Sequence, residues 1–347
     1  MSYPKQPDFR KLTSDIAEYA RLGHEYGAPG VQELLDEAEA ALVSVKRRLM
    51  LLEGDPALAS NEPDDYGRIL ELRPCGPRRI WENFNLAEYD RRLRGAILGR
   101  FAGCVLGAPV EFWSVEKMER WAAHIGDTFP PVDYWSRIKD ECAVRYGKSQ
   151  CIDYTRSAMD GIPVDDDIAY TQLGLLIAEE YGLNFTTADV GRAWLKYLPY
   201  ACTAEEVALA ALNAGTSADR AAESDNPYAQ WIGADIRSDP WGYLAPGLPE
   251  VAARMAYRDA RLSHRRNGVY GEMFFSAAIA AAFEVDDPIE AVKIGLTEIP
   301  TGCSLAGAVR WALDERKNIR DYKAARAAYR NRAYILHNFP YANLYKS

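Results

Sequence analysis

Apolar residues recur along this chain at helical intervals and almost nowhere in alternation. Val31, Leu34, Leu35, Ala38, Leu42, Val45 and Leu49 fall three and four apart, which predicts one long amphipathic helix stopping near Gly54. Ala169, Leu173, Leu176 and Ile177 predict a second helix over 167–181. A capping residue at Thr187 opens a third, and Thr203 with Glu206 three positions later has the pattern of a capping box. Further helices are predicted over 249–260, 273–283, 287–296 and 304–316. The 273–283 run is apolar apart from Ser276, as in a helix buried on every side, and too short to span a bilayer. With strand-like alternation nearly absent and no fixed-period repeat, the predicted fold class is all-α, an orthogonal or irregular helical bundle.

The stretch 54–65 is polar and rich in turn residues, so it reads as a linker. Residues 1–85 are accordingly expected to form an appended helical segment, suited to covering part of the main body or to self-association, and 86–347 the main domain. That domain opens with Gly95, Gly99, Gly103 and Gly107, four apart and therefore on one side of one helix. Each glycine costs about 1 kcal/mol relative to alanine inside a helix, so the row calls for close approach of a neighbouring helix or of a ligand. Arg100 and the short apolar length argue against a membrane dimer face.

Composition narrows the partners. The 347 residues are 48% hydrophobic and 26% charged, with a formal net charge of −9. Such an acidic chain does not suit general nucleic-acid binding, which needs a basic stripe against phosphates. The start, Met1-Ser2-Tyr3-Pro4-Lys5, has no apolar core of the signal-peptide kind. Six cysteines (75, 104, 142, 151, 202, 303) show no C-x-x-C pair. A cytoplasmic protein with reduced thiols, without nucleic-acid or membrane partners, is the expectation.

Four segments carry candidate chemistry. Asp165, Asp166 and Asp167 stand in succession at a helix start. A helix N-terminus favours acids, but three neighbours repel by roughly 1–4 kcal/mol per close pair, which a hard divalent cation would relieve. The connector from Asn226 to Gly247 holds Gly233, Arg237, two tryptophans and two tyrosines, fit either for a phosphate-bearing ligand or for filling the core edge. His264 closes one helix ahead of Asn267 and Glu272, either as a packing residue or as part of a site. Glu111, just past the glycine row, is a candidate general base or an ordinary surface acid.

Taken in this order, the segments resemble the ADP-ribosylglycohydrolase family, which includes dinitrogenase reductase-activating glycohydrolases and the J1 crystallins. The similarity runs from about Arg92 to about His337. Gly95 to Glu111 resembles the family's glycine-rich helix and following acid. Val164 to Asp167 resembles its Thr-Asp-Asp metal motif, Trp231 to Arg237 its substrate loop, and Asp259 to His264 its Asp-Ala-x-x-Thr/Ser-His segment. The resemblance implies an all-α fold, two Mg2+ or Mn2+ ions and hydrolysis of the glycosidic bond of ADP-ribosyl groups on a protein or small molecule. It implies metal ligation by Asp165, Asp166 and Asp167, and catalytic roles for Glu111 and Asp166. Gly233, Ala234, Arg237 and His264 would contact substrate. Cys104 stands where the family has an aspartate. No counterpart of the closing Gly-x-Asp-Thr-Asp motif follows residue 300, where only Asp314 and Asp321 occur. The main domain is therefore expected to lack its C-terminal metal motif, leaving one metal or none. The alternative is a non-catalytic ADP-ribose-binding or structural member of the fold.

Overall fold

The structure, a computed structural model, describes residues 7–81, 83–138, 151–223 and 225–331. Cys142 and the His337 end of the resemblance lie outside them. Helices account for 65% of the described residues, and no strand occurs among them. Two compact units divide between Ser60 and Asn61.

In the first unit, α1 (Phe9–Glu25) and α2 (Val31–Met50) are joined by a turn at Gly27 and Gly30, both at positive φ, and are followed by α3 (Pro56–Asn61). The α2 stripe forms the expected helix, yet no residue of α1 or α2 is buried. Part of the stretch read as linker is thus α3 itself.

The second unit contains α4 (Tyr66–Leu72), α5 (Leu86–Gly107), α6 (Val115–Ile125), α7 (Asp166–Tyr181), α8 (Thr187–Tyr197), α9 (Thr203–Asn213) and α10 (Ser238–Tyr243). It continues through α11 (Pro249–Ala260), α12 (Asn267–Ala282), α13 (Pro288–Gly295), α14 (Ser304–Glu315) and α15 (Tyr322–Asn331). Residues 61–85, expected to belong with the appended segment, are bonded into this unit instead. Glu62 accepts from the Ser304 N–H at 2.8 Å, Arg73 bridges Glu250 at 2.9 Å and Glu298 at 2.5 Å, and the Trp81 indole donates to the Pro246 carbonyl at 2.6 Å. The boundary between the units falls inside the polar, turn-rich stretch 54–65, well ahead of residue 85.

Helix α12 is the core element, packed by α10, α11, α13 and the Ile232–Arg237 turn. Its apolar composition lets it be buried almost all round, as the sequence implies. On α7 the buried stripe is Tyr170, Leu173, Gly174 and Ile177; Ala169, expected on that face, is exposed. The shift brings Gly174 against Pro240, where a Cβ would collide with the proline ring. The Thr203 capping box does not form: the N-cap is Cys202, without a side-chain bond, and Thr203 has φ +52°. One forms a residue ahead of the predicted start of α8, between Thr186 and Asp189.

The glycine row departs most from expectation. Among the described residues, no heavy atom outside the helix's own backbone lies within 4 Å of where a Cβ would stand on Gly95, Gly99, Gly103 or Gly107, so none of the described helices packs on the row. The segment Leu86–Val110 is also longer and more apolar than expected. Its 25 residues include an 18-residue window of mean hydropathy 1.3, sufficient by length and composition to cross a membrane. Arginines tie it to the protein: Arg92 reaches Asp286 at 2.7 Å, and Arg100 donates to the carbonyls of Asp167 and Ile236, both at 2.8 Å.

Candidate functional site

The open side of the glycine row borders a cavity of about 890 Å3, within the usual range of small-molecule pockets, roughly 300–1,000 Å3. Gly99, Gly103, Cys104 and Gly107 form one wall. The start of α7 contributes Asp166, Asp167 and Tyr170, the start of α9 contributes Thr203 and Glu205, and the loop before α10 contributes Trp231 and Gly233. Glu111 stands at the exposed rim beside Phe112. Phe112 and Thr203 both hold the left-handed backbone region, with φ of +65° and +52°. Such strain costs roughly 1–3 kcal/mol per residue and clusters where a fold fixes a binding surface.

At the α7 N-terminus Asp165 is buried as the N-cap, accepting from the Asp167 N–H at 3.1 Å and from the Tyr154 hydroxyl at 2.9 Å. The Cys104 thiol and the carboxylates of Asp165 and Asp167 offer three ligand atoms within 4.8 Å of one another. Asp166, expected among the ligands, is outside this group though it lines the cavity. Asp165 is the N-cap in extended backbone, so its side chain turns back to the Asp167 N–H and pairs with that residue, leaving Asp166 outside the pair. Burial, then the charges of Asp165 and Asp167, raise the Cys104 pKa well above the usual thiol range. Two carboxylates and a thiol are a donor set that suits a divalent cation, and the sulfur favours a softer one than Mg2+.

Glu205 is the residue that the sequence reading missed. It is buried beneath Gly233, where an added Cβ would come within 2.5 Å of its carboxylate oxygen. Burial raises its pKa from 4.5 to about 7; Arg237 opposes the shift and Asp166 adds to it. An acid after a threonine at a helix start looks like first-turn electrostatics. Only the approach of the Gly233 loop turns it into a sealed, cavity-lining acid.

The expected substrate contacts divide. Gly233 borders the cavity, whereas Ala234, Arg237 and His264 are enclosed in the core. Arg237 was expected to meet a diphosphate, but its donors are taken. Nε bonds Asp259 at 2.7 Å, Nη1 bonds Glu205 at 3.1 Å and Ser263 at 3.0 Å, and Nη2 reaches the Asp259 carbonyl and Glu272, both at 3.4 Å. A guanidinium has five N–H groups, so none remains for a ligand. The indoles and phenol around it complete the enclosure, with its carbon 5.1 Å from the Trp194 ring and 5.7 Å from Tyr170. His264 bonds Ser263 at 2.8 Å through Nδ1; burial and then the charges of Arg237 and Arg265 hold its pKa well below the usual value, leaving a neutral core imidazole.

These features are those of an all-α protein built around an acid-lined cavity at the mouth of a glycine-faced helix. The family model for ADP-ribosylglycohydrolase matches residues 85–345, and the chain belongs to that family. No curated protein and no solved structure matched. Membership carries hydrolysis of ADP-ribosyl linkages as the general activity and divalent-metal dependence as the general requirement.

Proposed function

We propose that this chain is a metal-dependent hydrolase that cleaves the glycosidic bond of an ADP-ribosyl group carried by a protein or a small molecule. The observation that carries the reading is the meeting, at one cavity, of the glycine wall, of Cys104 and Asp167 with the buried Asp165 beside them, and of a carboxyl that ionises near neutrality. Asp165, Asp167 and Cys104 would hold the cation, which when bound supplies Lewis acidity and a fixed point for the ribose hydroxyls.

The remaining chemistry belongs to side chains. Cleavage breaks the bond between the anomeric carbon and the leaving atom and forms one from that carbon to a water oxygen. With a pKa of about 7, Glu205 remains partly protonated at neutral pH and donates to the leaving atom. Glu111 or Asp166, both on the cavity wall, takes the proton of the water. The Trp231–Gly233 segment offers an aromatic face and backbone N–H groups to the nucleotide, the role first expected of Arg237.

The test is release of ADP-ribose from ADP-ribosylated arginine and serine peptides, followed chromatographically with Mg2+, Mn2+ or Zn2+. Asp167→Ala should lower the rate at least 100-fold, given that disturbing even residues around a metal typically costs 10–100-fold. Binding of ADP-ribose with no release under any of the three ions would overturn the enzyme reading. It would support the non-catalytic alternative, which Cys104 in place of the family's acid favours.

A further inference from the structure

A second cleft, of about 310 Å3, shares no lining residue with the first. Arg254, Arg258 and Arg261 project into it from α11, spaced four and three apart and so on one side of that helix. Like charges at this spacing repel and ordinarily stand near acids. Here one acid, Asp219, lines the cleft. Glu250, one turn before Arg254, is bonded to Arg73 at 2.9 Å. Asp219 comes no closer than 3.7 Å to Arg261 and is largely exposed. Among the described residues Arg254 and Arg258 make no ion pair. Arg254 Nε and Arg258 Nη1 are buried without a hydrogen-bond acceptor.

Thr186, Thr187 and Ala188 bring the N-terminus of α8 to the cleft. Its capping box occupies the Thr186 and Asp189 N–H groups, and the Asp189 carboxylate is engaged by Thr186 and Arg192. Tyr66 and Tyr257, with ring centroids 4.7 Å apart, close one end. Burial and the neighbouring Arg254 charge together lower the Arg258 pKa. Three guanidinium groups share one carboxylate in the cleft, that of Asp219, which pairs with Arg261, and the buried donors of Arg254 and Arg258 cost free energy until an acceptor reaches them.

We propose that this cleft is an anion site for a phosphoryl group, held by the guanidinium forks of Arg254 and Arg258 beside the α8 N-terminus. A tetrahedral dianion offers enough acceptors for two forks at once, which a chloride or a single carboxylate does not. The phosphoryl group is either free phosphate or the end of a phosphate monoester.

The full chain is titrated with inorganic phosphate against chloride at equal ionic strength, and melting is followed. At about ten times its Kd, phosphate should raise Tm by roughly 3 °C, and the Arg254→Gln/Arg258→Gln double variant should lose the shift. Phosphoserine forms the second arm: binding tighter than phosphate and lost in the double variant assigns the site to a monoester, and weaker binding assigns it to the free anion. Should the double variant fold poorly, phenylglyoxal labelling of the wild type replaces it, with phosphate expected to protect Arg254 and Arg258 at least threefold. A phosphate shift that chloride matches, or that survives the double substitution, or labelling that phosphate leaves unchanged, overturns the assignment. Because neither arginine lines the larger cavity, the outcome is independent of whether ADP-ribose is hydrolysed there.

Discussion

Two places in this molecule gather acids, and they are built in opposite ways. Around Arg237 three carboxylates, Glu205, Asp259 and Glu272, meet a guanidinium inside the core, with Trp241 adding a 2.8 Å bond to Glu272. At the α7 N-terminus Asp165 and Asp167 meet a thiol beside an open cavity, with Arg100 approaching Asp167 at 3.8 Å. The first cluster carries its own cation, covalently part of the chain and fully hydrogen-bonded. The second has the composition of a site that takes its cation from solution. Glu205 belongs to both surroundings, since it bonds Arg237 and lines the cavity, and its pKa of about 7 reflects that position.

The largest expected effect separates the clusters directly. Arg237→Met leaves three carboxylates buried without their partner and should cost about 3–5 kcal/mol in denaturant unfolding, whatever metal is added. A loss under 1 kcal/mol would show that the arginine is not what holds the core acids. Next comes Glu205→Gln. The folded pKa of about 7 lies above 4.5, so the wild-type carboxyl stabilises fully below pH 4.5 and loses that contribution as pH rises through 7. That gap corresponds to roughly 3 kcal/mol. The wild type should therefore fall relative to the glutamine variant across this window, and a pH-independent difference would remove Glu205 as the titrating group.

Smaller effects sharpen the metal side. Cys104→Asp turns the donor set into three carboxylates and should tighten Mg2+ relative to Zn2+ by about tenfold in calorimetry, or about 1.4 kcal/mol. Unchanged selectivity would place Cys104 outside the ligand set. The smallest effect has two signs. Gly103→Ala should stabilise the helix by up to about 1 kcal/mol, because no neighbouring atom among the described residues stands within 4 Å of the added methyl, while weakening ADP-ribose binding. A variant that gains stability with no loss of affinity would leave the glycine row unexplained.

Helical periodicity along α2 and the apolar run of α12 were legible because each depends on local spacing and hydropathy. So was the family resemblance, since a motif is a property of order along the chain. Whether the glycine row meets a helix or a ligand was left open by spacing, and only the folded chain shows that three of the four glycines border a cavity. Arg237 and His264 sat in a segment that resembled a substrate loop, and nothing local distinguishes a guanidinium aimed at a ligand from one aimed at three buried acids. Cys104 as a neighbour of Asp165, and Glu205 beneath Gly233, join residues dozens of positions apart. The sequence determined the helices, their order and the family, because these follow from short-range periodicity and motif. Tertiary packing alone decided which acids face a cavity and which face an arginine, because desolvation and charge pairing depend on partners that the chain brings together only when folded.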